Sequence, residues 1–218
     1  MAVSISSKVT GRNSSGDLTL ASVVVGASDT GIYVLTSVQD SNHANYPVVS
    51  VTRDGQSFTK IGHYEPAGNV RVEAWYLKSP NVNTSNVVID VTGSVGEFSA
   101  SAFVLAGADI TTQPDVYGGG SGNGFAPSVS VTTTVADCML LHVLCAEATI
   151  TGVGSGQTSE YSATDQGYEN ARYSSKLATS AGSNSMSANM SGGQPYAQIV
   201  VAVKPTASAS FVPKINMI

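Results

Sequence analysis

The strongest constraint on this chain is how short its apolar segments are. They run or alternate for about four to eight residues before Gly, Asn, Pro or Ser interrupts them, which is the pattern of strands and not of helices. Val87, Ile89 and Val91 alternate with polar residues, as do Met186, Ala188 and Met190, whereas Ala102-Phe103-Val104-Leu105-Ala106 is continuously apolar. No segment sustains the 3.6-residue period of a substantial helix. Composition points the same way. Charged residues make up 11% of the chain, against roughly 25% in an average soluble domain. Ser, Thr, Asn and Gly take their place, and the many Val and Thr suit a pleated surface. The expected fold is all-β, an antiparallel β-sandwich of jelly-roll type. Strands are predicted near 17–27, 31–39, 47–53, 56–64, 69–78, 86–92, 98–106, 128–135, 138–147, 157–163, 170–179, 184–190 and 196–204. Asp54-Gly55 supplies a tight hairpin turn.

An internal repeat divides the chain. Gly55-Gln56 and Asn69-Val70-Arg71 recur 101 residues later as Gly156-Gln157 and Asn170-Ala171-Arg172 (55 to 156, 69 to 170). Upstream, Ile32-Tyr33-Val34-Leu35 matches Cys138-Met139-Leu140-Leu141 in pattern. Downstream, Ala102–Ala106 matches Gln198-Ile199-Val200-Val201-Ala202. This gives two sequence-similar halves, 1–110 and 128–206, a connection at 111–127 and a tail at 207–218. The connection contains Gly118-Gly119-Gly120-Ser121-Gly122-Asn123-Gly124 and reads as a flexible loop. Ser159, Ser162, Ser174 and Ser175 weaken the apolar pattern of the second half. One joint sandwich is therefore preferred, with two separate small domains as the alternative.

Charge and cysteine usage narrow the function classes. Net charge is −5 and no Lys/Arg run occurs, so a nucleic-acid surface is not expected. No apolar stretch approaches the roughly 20 residues of a membrane-spanning helix. The start, Met1-Ala2-Val3-Ser4-Ile5-Ser6-Ser7-Lys8, lacks a basic region followed by an apolar run, and the chain is expected to remain in the cytoplasm that makes it. Cys138 and Cys145 on one strand would point to opposite faces about 23 Å apart at roughly 3.3 Å per residue, too far for a disulfide. Two free, buried thiols are expected.

Candidate chemistry is sparse. His43, His63 and His142 show no metal-ligand spacing, and His142 sits inside an apolar run, where a hydrogen-bonded core histidine is expected. Asp40-Ser41-Asn42-His43-Ala44-Asn45 alternates oxygen donors but lacks the Gly and distal Glu of a calcium loop, so it reads as a polar turn. On Val70-Arg71-Val72-Glu73-Ala74-Trp75-Tyr76-Leu77, alternation puts Arg71, Glu73 and Trp75 on one face. A carboxylate beside an aromatic is what a sugar cleft shows, and these three are the possible ligand face. The plainer reading is a surface ion pair beside a half-buried Trp. A glycosidase needs a second carboxyl about 5 to 9.5 Å away, and no second strand offers one. No catalytic residue, cofactor or metal is expected, and the chain is not expected to be an enzyme.

Residues 31–109 resemble a module of phage particle proteins and bacterial surface proteins. The likeness rests on an apolar strand (Gly31–Val38), a G-Q hairpin (Gly55–Ile61), an apolar-x-W-x-L-x-x-P strand (Val72–Pro80), an alternating strand (Val87–Thr92) and an F-V-L-A-G-A-D close (Phe103–Asp109). It implies a non-catalytic protein that decorates capsids, tails or cell surfaces. The first expectation is a virion structural protein, made in the host cytoplasm, with other virion proteins and copies of itself as partners. A carbohydrate-binding or adhesive module is the alternative, with Trp75, Tyr33, Tyr64, Tyr76, Tyr168 and Tyr173 as available aromatics and a glycan as possible ligand. A jelly-roll glycanase comes third. After Pro205, a small-residue linker leads to an apolar tip, and Phe211, Val212, Ile215, Met217 and Ile218 are the expected assembly contacts. Circular dichroism should show β structure, with helix below about one fifth where an average domain has roughly a third; a larger helical signal would overturn the fold.

Overall fold

The computed structural model describes residues 2–40, 47–66, 69–93, 96–163 and 170–207, and these form strands and no helix. The first half contributes β1 (Ser4–Asn13), β2 (Leu18–Val24), β3 (Asp29–Gln39), β4 (Val48–Arg53), β5 (Gln56–Ser57), β6 (Thr59–Tyr64), β7 (Val70–Lys78), β8 (Thr84–Val91) and β9 (Glu97–Ala106). The second contributes β10 (Val116–Gly124), β11 (Ser128–Thr133), β12 (Cys138–Ala146), β13 (Ile150–Val153), β14 (Thr158–Ser162), β15 (Asn170–Ala178), β16 (Gly182–Met190) and β17 (Gln194–Val203).

Each half closes a sandwich of its own. In the first, an outer sheet of order β2-β8-β4-β5 covers an inner sheet of order β1-β9-β3-β7-β6. In the second, an outer sheet β11-β16-β13 covers an inner sheet β10-β17-β12-β15-β14. All pairings are antiparallel, and successive strands mostly switch sheets, which is jelly-roll connectivity. The two inner sheets have the same topology, with β10, β17, β12, β15 and β14 in the places of β1, β9, β3, β7 and β6. The preference for one joint sandwich is therefore corrected. The molecule has four layers, two sandwiches stacked through their inner sheets.

That stacking seam is a core in its own right. Tyr33, Leu35, Val72, Phe103 and Leu105 meet Leu141, Val143, Tyr173, Ile199 and Val201 there. Among the described residues the seam holds 19 buried apolar side chains, as many as the first sandwich's own core around Val34, Trp75, Ile89 and Phe98. The second sandwich's interior is smaller and split. Leu140, Met186 and Val200 form one cluster, and Leu144, Ile150 and Met190 form another. Of the serines that weakened its apolar pattern, Ser174 lies buried beside His142 between these clusters, whereas Ser159 and Ser162 are exposed; more of this half's buried apolar residues gather in the seam than in either cluster. Polar contacts register the two sheets. The Tyr173 hydroxyl lies 2.9 Å from Ser37 Oγ and 2.8 Å from Ser99 Oγ, all three buried. Glu147 accepts from the Asn69 amide (3.0 Å), and Gln39 accepts from the Asn170 amide (3.1 Å), so each half holds the other. Lys8 reaches Glu160 at 2.6 Å between β1 and β14.

The expected hairpin at Asp54-Gly55 is present, with Arg53 opposite Gln56 and both turn residues at positive φ (50° and 75°). Cys138 and Cys145 form no disulfide and are buried on β12, one in the second sandwich and one in the seam. Three segments differ from expectation. Residues 4–13 and 150–153 are strands whose Ser and Gly content hides the apolar alternation. The third is the Gly-rich connection, which is largely not a loop. Its residues 116–124 form β10, paired in unbroken register with β17. The glycines serve close packing. A Cβ on Gly119 would overlap the Tyr64 ring and meet the Gln198 carbonyl oxygen at 2.5 Å. Reciprocally, a Cβ on Gly62 would meet the Tyr117 ring at 2.7 Å. Two tyrosines, one from each half, thus lie across the glycines of the facing strand. Gly119→Ala should destabilise the fold by about 1–3 kcal/mol through this overlap. Gly120→Ala, whose Cβ meets nothing within 4 Å, should change the melting temperature little. Equal melts for the two variants would contradict the packing.

Candidate functional site

The residues singled out as a ligand face lie inside the first sandwich. Arg71, Glu73 and Trp75 are 5%, 1% and 6% exposed, and alternation along β7 turns them toward the outer sheet while Val70, Val72 and Ala74 fill the seam. Glu73 is surrounded by donors. Its Oε1 accepts from Arg71 Nε (2.6 Å) and the Val48 amide (3.2 Å), and its Oε2 accepts from Trp75 Nε1 (3.2 Å) and pairs with Lys60 Nζ (2.7 Å). Lys60 also lies over the Trp75 ring, 5.3 Å from its centroid, and Arg71 pairs with Glu65. The three residues therefore have almost no surface to offer a ligand, and the ion pair is buried, not a surface pair. Val48 belongs to β4 of the outer sheet, so the carboxylate ties the two sheets together. Both carboxylate oxygens are thus engaged by protein donors. Removing one partner would strand a buried charge, which typically costs about 3–5 kcal/mol.

Arg53 is the outer sheet's counterpart, almost wholly buried at the end of β4. Its Nη2 donates to the Val23 and Asn83 carbonyls (3.1 and 2.8 Å) and its Nη1 to the Asn81 carbonyl (3.0 Å). Desolvation holds its basicity below the usual arginine value. The sequence signalled only the turn next to it.

His142 occupies the middle of the second sandwich. Its Nδ1 is 3.2 Å from Ser174 Oγ and its Nε2 is 3.1 Å from Gln198 Oε1. Because the Gln198 oxygen can only accept, Nε2 carries the proton and Nδ1 accepts from the serine hydroxyl. Burial lowers its pKa to about 4, with the Gln198 bond opposing that shift. The polar row of His142, Ser174 and Gln198 separates the two apolar clusters of this half. This is the hydrogen-bonded core histidine that the apolar run implied. His63 lies exposed on β6, whereas His43 falls outside the described residues.

One open cleft, of about 340 Å³, lies where the chain crosses between halves. Asp109, Val135, Ala136, Asp137, Lys204 and Pro205 line it, with Thr206 and Ala207. Gln113 secures this crossing. It accepts from the Tyr33 hydroxyl (2.8 Å) and the Lys204 amide (3.2 Å), and donates to the Lys204 carbonyl (2.7 Å). Asp109 is held down to about 2, first by the Thr111 hydroxyl and amide and then by Thr112. Its carboxylate caps a turn. The signal for it was the Asp-x-Thr-Thr spacing, a local turn pattern. Ala207, the last described residue, is part of the cleft wall, and the predicted contacts Phe211, Val212, Ile215, Met217 and Ile218 fall outside the described residues.

Among the described residues no three His, Cys, Asp or Glu side chains gather to share a metal ion, and no helix is long and apolar enough to cross a membrane. Of the aromatics considered for sugar stacking, Trp75, Tyr33 and Tyr173 are buried, Tyr64 and Tyr76 are half-buried and Tyr168 falls outside the described residues. Compared with known proteins, the chain matches no family model, no curated protein and no solved structure.

The His142 geometry sets a pH dependence. The unfolded ring, near pKa 6.5, takes a proton more readily than the buried ring at about 4. Its contribution to stability is complete above about pH 6.5 and is lost as pH falls toward 4. Urea melts should show a loss of about 2–3 kcal/mol from this group between pH 7 and 4.5. In His142→Gln that component should vanish, leaving only the carboxylates' share; an unchanged pH profile in the variant would refute the assignment.

Proposed function

We propose that this chain is a non-enzymatic structural protein of a phage particle, a capsid decoration subunit or a tail or fibre component. The observation that carries the reading is the four-layer block, in which two jelly rolls are fused by an apolar seam as large as a core. An interface of that size and character opposes relative motion of the two halves, which suits a building unit more than a hinged catalyst. Jelly rolls recur in viral capsid and lectin domains, and this part of the support is analogy of fold. The sparse charge adds to it, since few long charged side chains have to be desolvated when neighbours pack. So does the interior chemistry. Glu73, Arg53 and His142, the polar groups that could have served a reaction, are engaged by protein partners that hold the sandwiches together.

Recruitment into the particle is assigned to the C-terminal segment, which follows Ala207 in the chain and carries Phe211, Val212, Ile215, Met217 and Ile218. Burying five such side chains contributes about 1.5–3 kcal/mol each, set against about 1–2 kcal/mol per residue for ordering the backbone. The test is to band phage particles from the source host on a density gradient and to look for the chain in the band by mass spectrometry, with and without deletion from Ala207 onward. The full chain is expected in the band and the truncated chain in the soluble fraction, with its melting temperature unchanged. A full chain that never bands with particles refutes the reading. A truncated chain that still bands but melts far lower places the tail in its own fold. Glycan-array binding by a chain absent from particles would favour the carbohydrate-binding alternative.

A further inference from the structure

A strand at the border of a sheet presents unpaired amides and carbonyls, and proteins that stay apart blunt such borders with charges, bulges, proline or brevity. Most edges of this molecule are blunted. β1 carries Lys8 and Arg12 and is bulged between Ile5 and Ser7. β6 carries Lys60 and is bulged between Lys60 and Gly62. β14 carries Glu160 and is bulged between Ser159 and Tyr161. β2 and β13 are interrupted between Leu20 and Val23 and between Ile150 and Gly152, and β5 has two residues. Among the described residues, the exception is one flank of the second sandwich. β10 is the border of its inner sheet, nine residues long, regular along its full pairing with β17, and free of charge and proline. The adjacent border of the outer sheet, β11, is likewise regular and uncharged.

We propose that the outer edge of β10 binds the β10 of a second copy of this chain, antiparallel about a two-fold axis near Gly120 and Ser121. The two second inner sheets then become one continuous sheet. The sequence of β10 argues for a second copy as occupant. In a two-fold antiparallel pair the strand meets itself, so each residue must tolerate its own strand's other end. Val116-Tyr117-Gly118-Gly119-Gly120-Ser121-Gly122-Asn123-Gly124 meets that condition, because around its centre small residues face small residues and no like charges are opposed. Elsewhere, two copies of a chain of net charge −5 repel; this border carries none of that charge. The pairing also gives cover to two exposed aromatics. Tyr117 near the start of β10 is 44% exposed, and Phe125 just beyond its end is 65% exposed. Reversal of the partner strand brings the start of one copy beside the end of the other, so each Tyr117 approaches the other copy's Asn123–Phe125 stretch. Backbone pairing supplies direction, and these aromatics with β11 supply the area that an edge pair by itself lacks for a stable dimer.

This surface is independent of any role in a particle, and its test uses the full chain in solution. Light scattering over a concentration series should give the mass of two chains. Hydrogen exchange should show amides of 116–124 gaining protection as concentration rises. Ser121→Lys places like charges across the axis at an exposed position, at the loss of one long exposed hydrogen bond from the Ser121 hydroxyl to the Glu65 carbonyl (3.4 Å). It should weaken the dimer at least about tenfold while leaving the melt of the dilute chain unchanged. Ser4→Lys, on the bulged edge β1, should leave the dimer intact. A single-chain mass at every concentration overturns the proposal. So does a dimer that persists in Ser121→Lys with the exchange of 116–124 independent of concentration.

Discussion

The structure depends on the apolar seam between the two inner sheets. A sheet in a simple sandwich buries one face, but β3, β7, β9, β12, β15 and β17 bury both. Their side chains alternate between their own sandwich and the seam, as Val34 and Leu35 do on β3 and Val200 and Val201 do on β17. This doubles the apolar demand on those strands. It also links the halves energetically, because the second sandwich's own interior is divided and more of its buried apolar residues gather in the seam than in either cluster. The two halves are architecturally separate sandwiches whose burial is shared.

The buried polar groups follow from that arrangement. Tyr173, Ser37 and Ser99 sit within the seam, where hydrogen bonds accept one register and penalise a slip. Glu73 holds the two sheets of the first sandwich at a fixed spacing through the Val48 amide. His142, Ser174 and Gln198 form a row across the second. Burying charge and hydrogen-bonding capacity in this way is weak evidence for added stability and better understood as selecting one arrangement of sheets. Of these groups, Glu73 and His142 were the ones weighed for chemistry in the sequence. Residue type and strand alternation correctly put Arg71, Glu73 and Trp75 on one face, but alternation does not say whether that face meets water or another sheet. The core role of His142 was legible, because the apolar run around it left it no solvent.

The Gly-rich segment shows the same limit in reverse. Its composition is that of a flexible connection, yet it is a strand because β17 pairs with it and Tyr64 lies across Gly119. A ring from β6 substitutes for the side chains that the glycines lack. No local property of residues 116–124 carries that information, since the covering residue lies more than fifty positions upstream.

What the sequence by itself determined was the class of structure and the positions of most strands. Charge scarcity, β-branched content, short apolar segments and the Asp54-Gly55 turn are local properties, and local properties decide whether a segment is extended. The distinction between continuous runs such as Ala102–Ala106 and alternating ones such as Val87, Ile89 and Val91 was also on the page; it separates inner from outer strands. The tertiary structure alone decided that there are two stacked sandwiches and not one, that the Glu73 carboxylate is interior, and that a run of glycines is a sheet border. Each of these depends on which sheet lies against which. That choice is made by contacts between residues far apart in the chain, where apolar surface is removed from water only once both partners are in place.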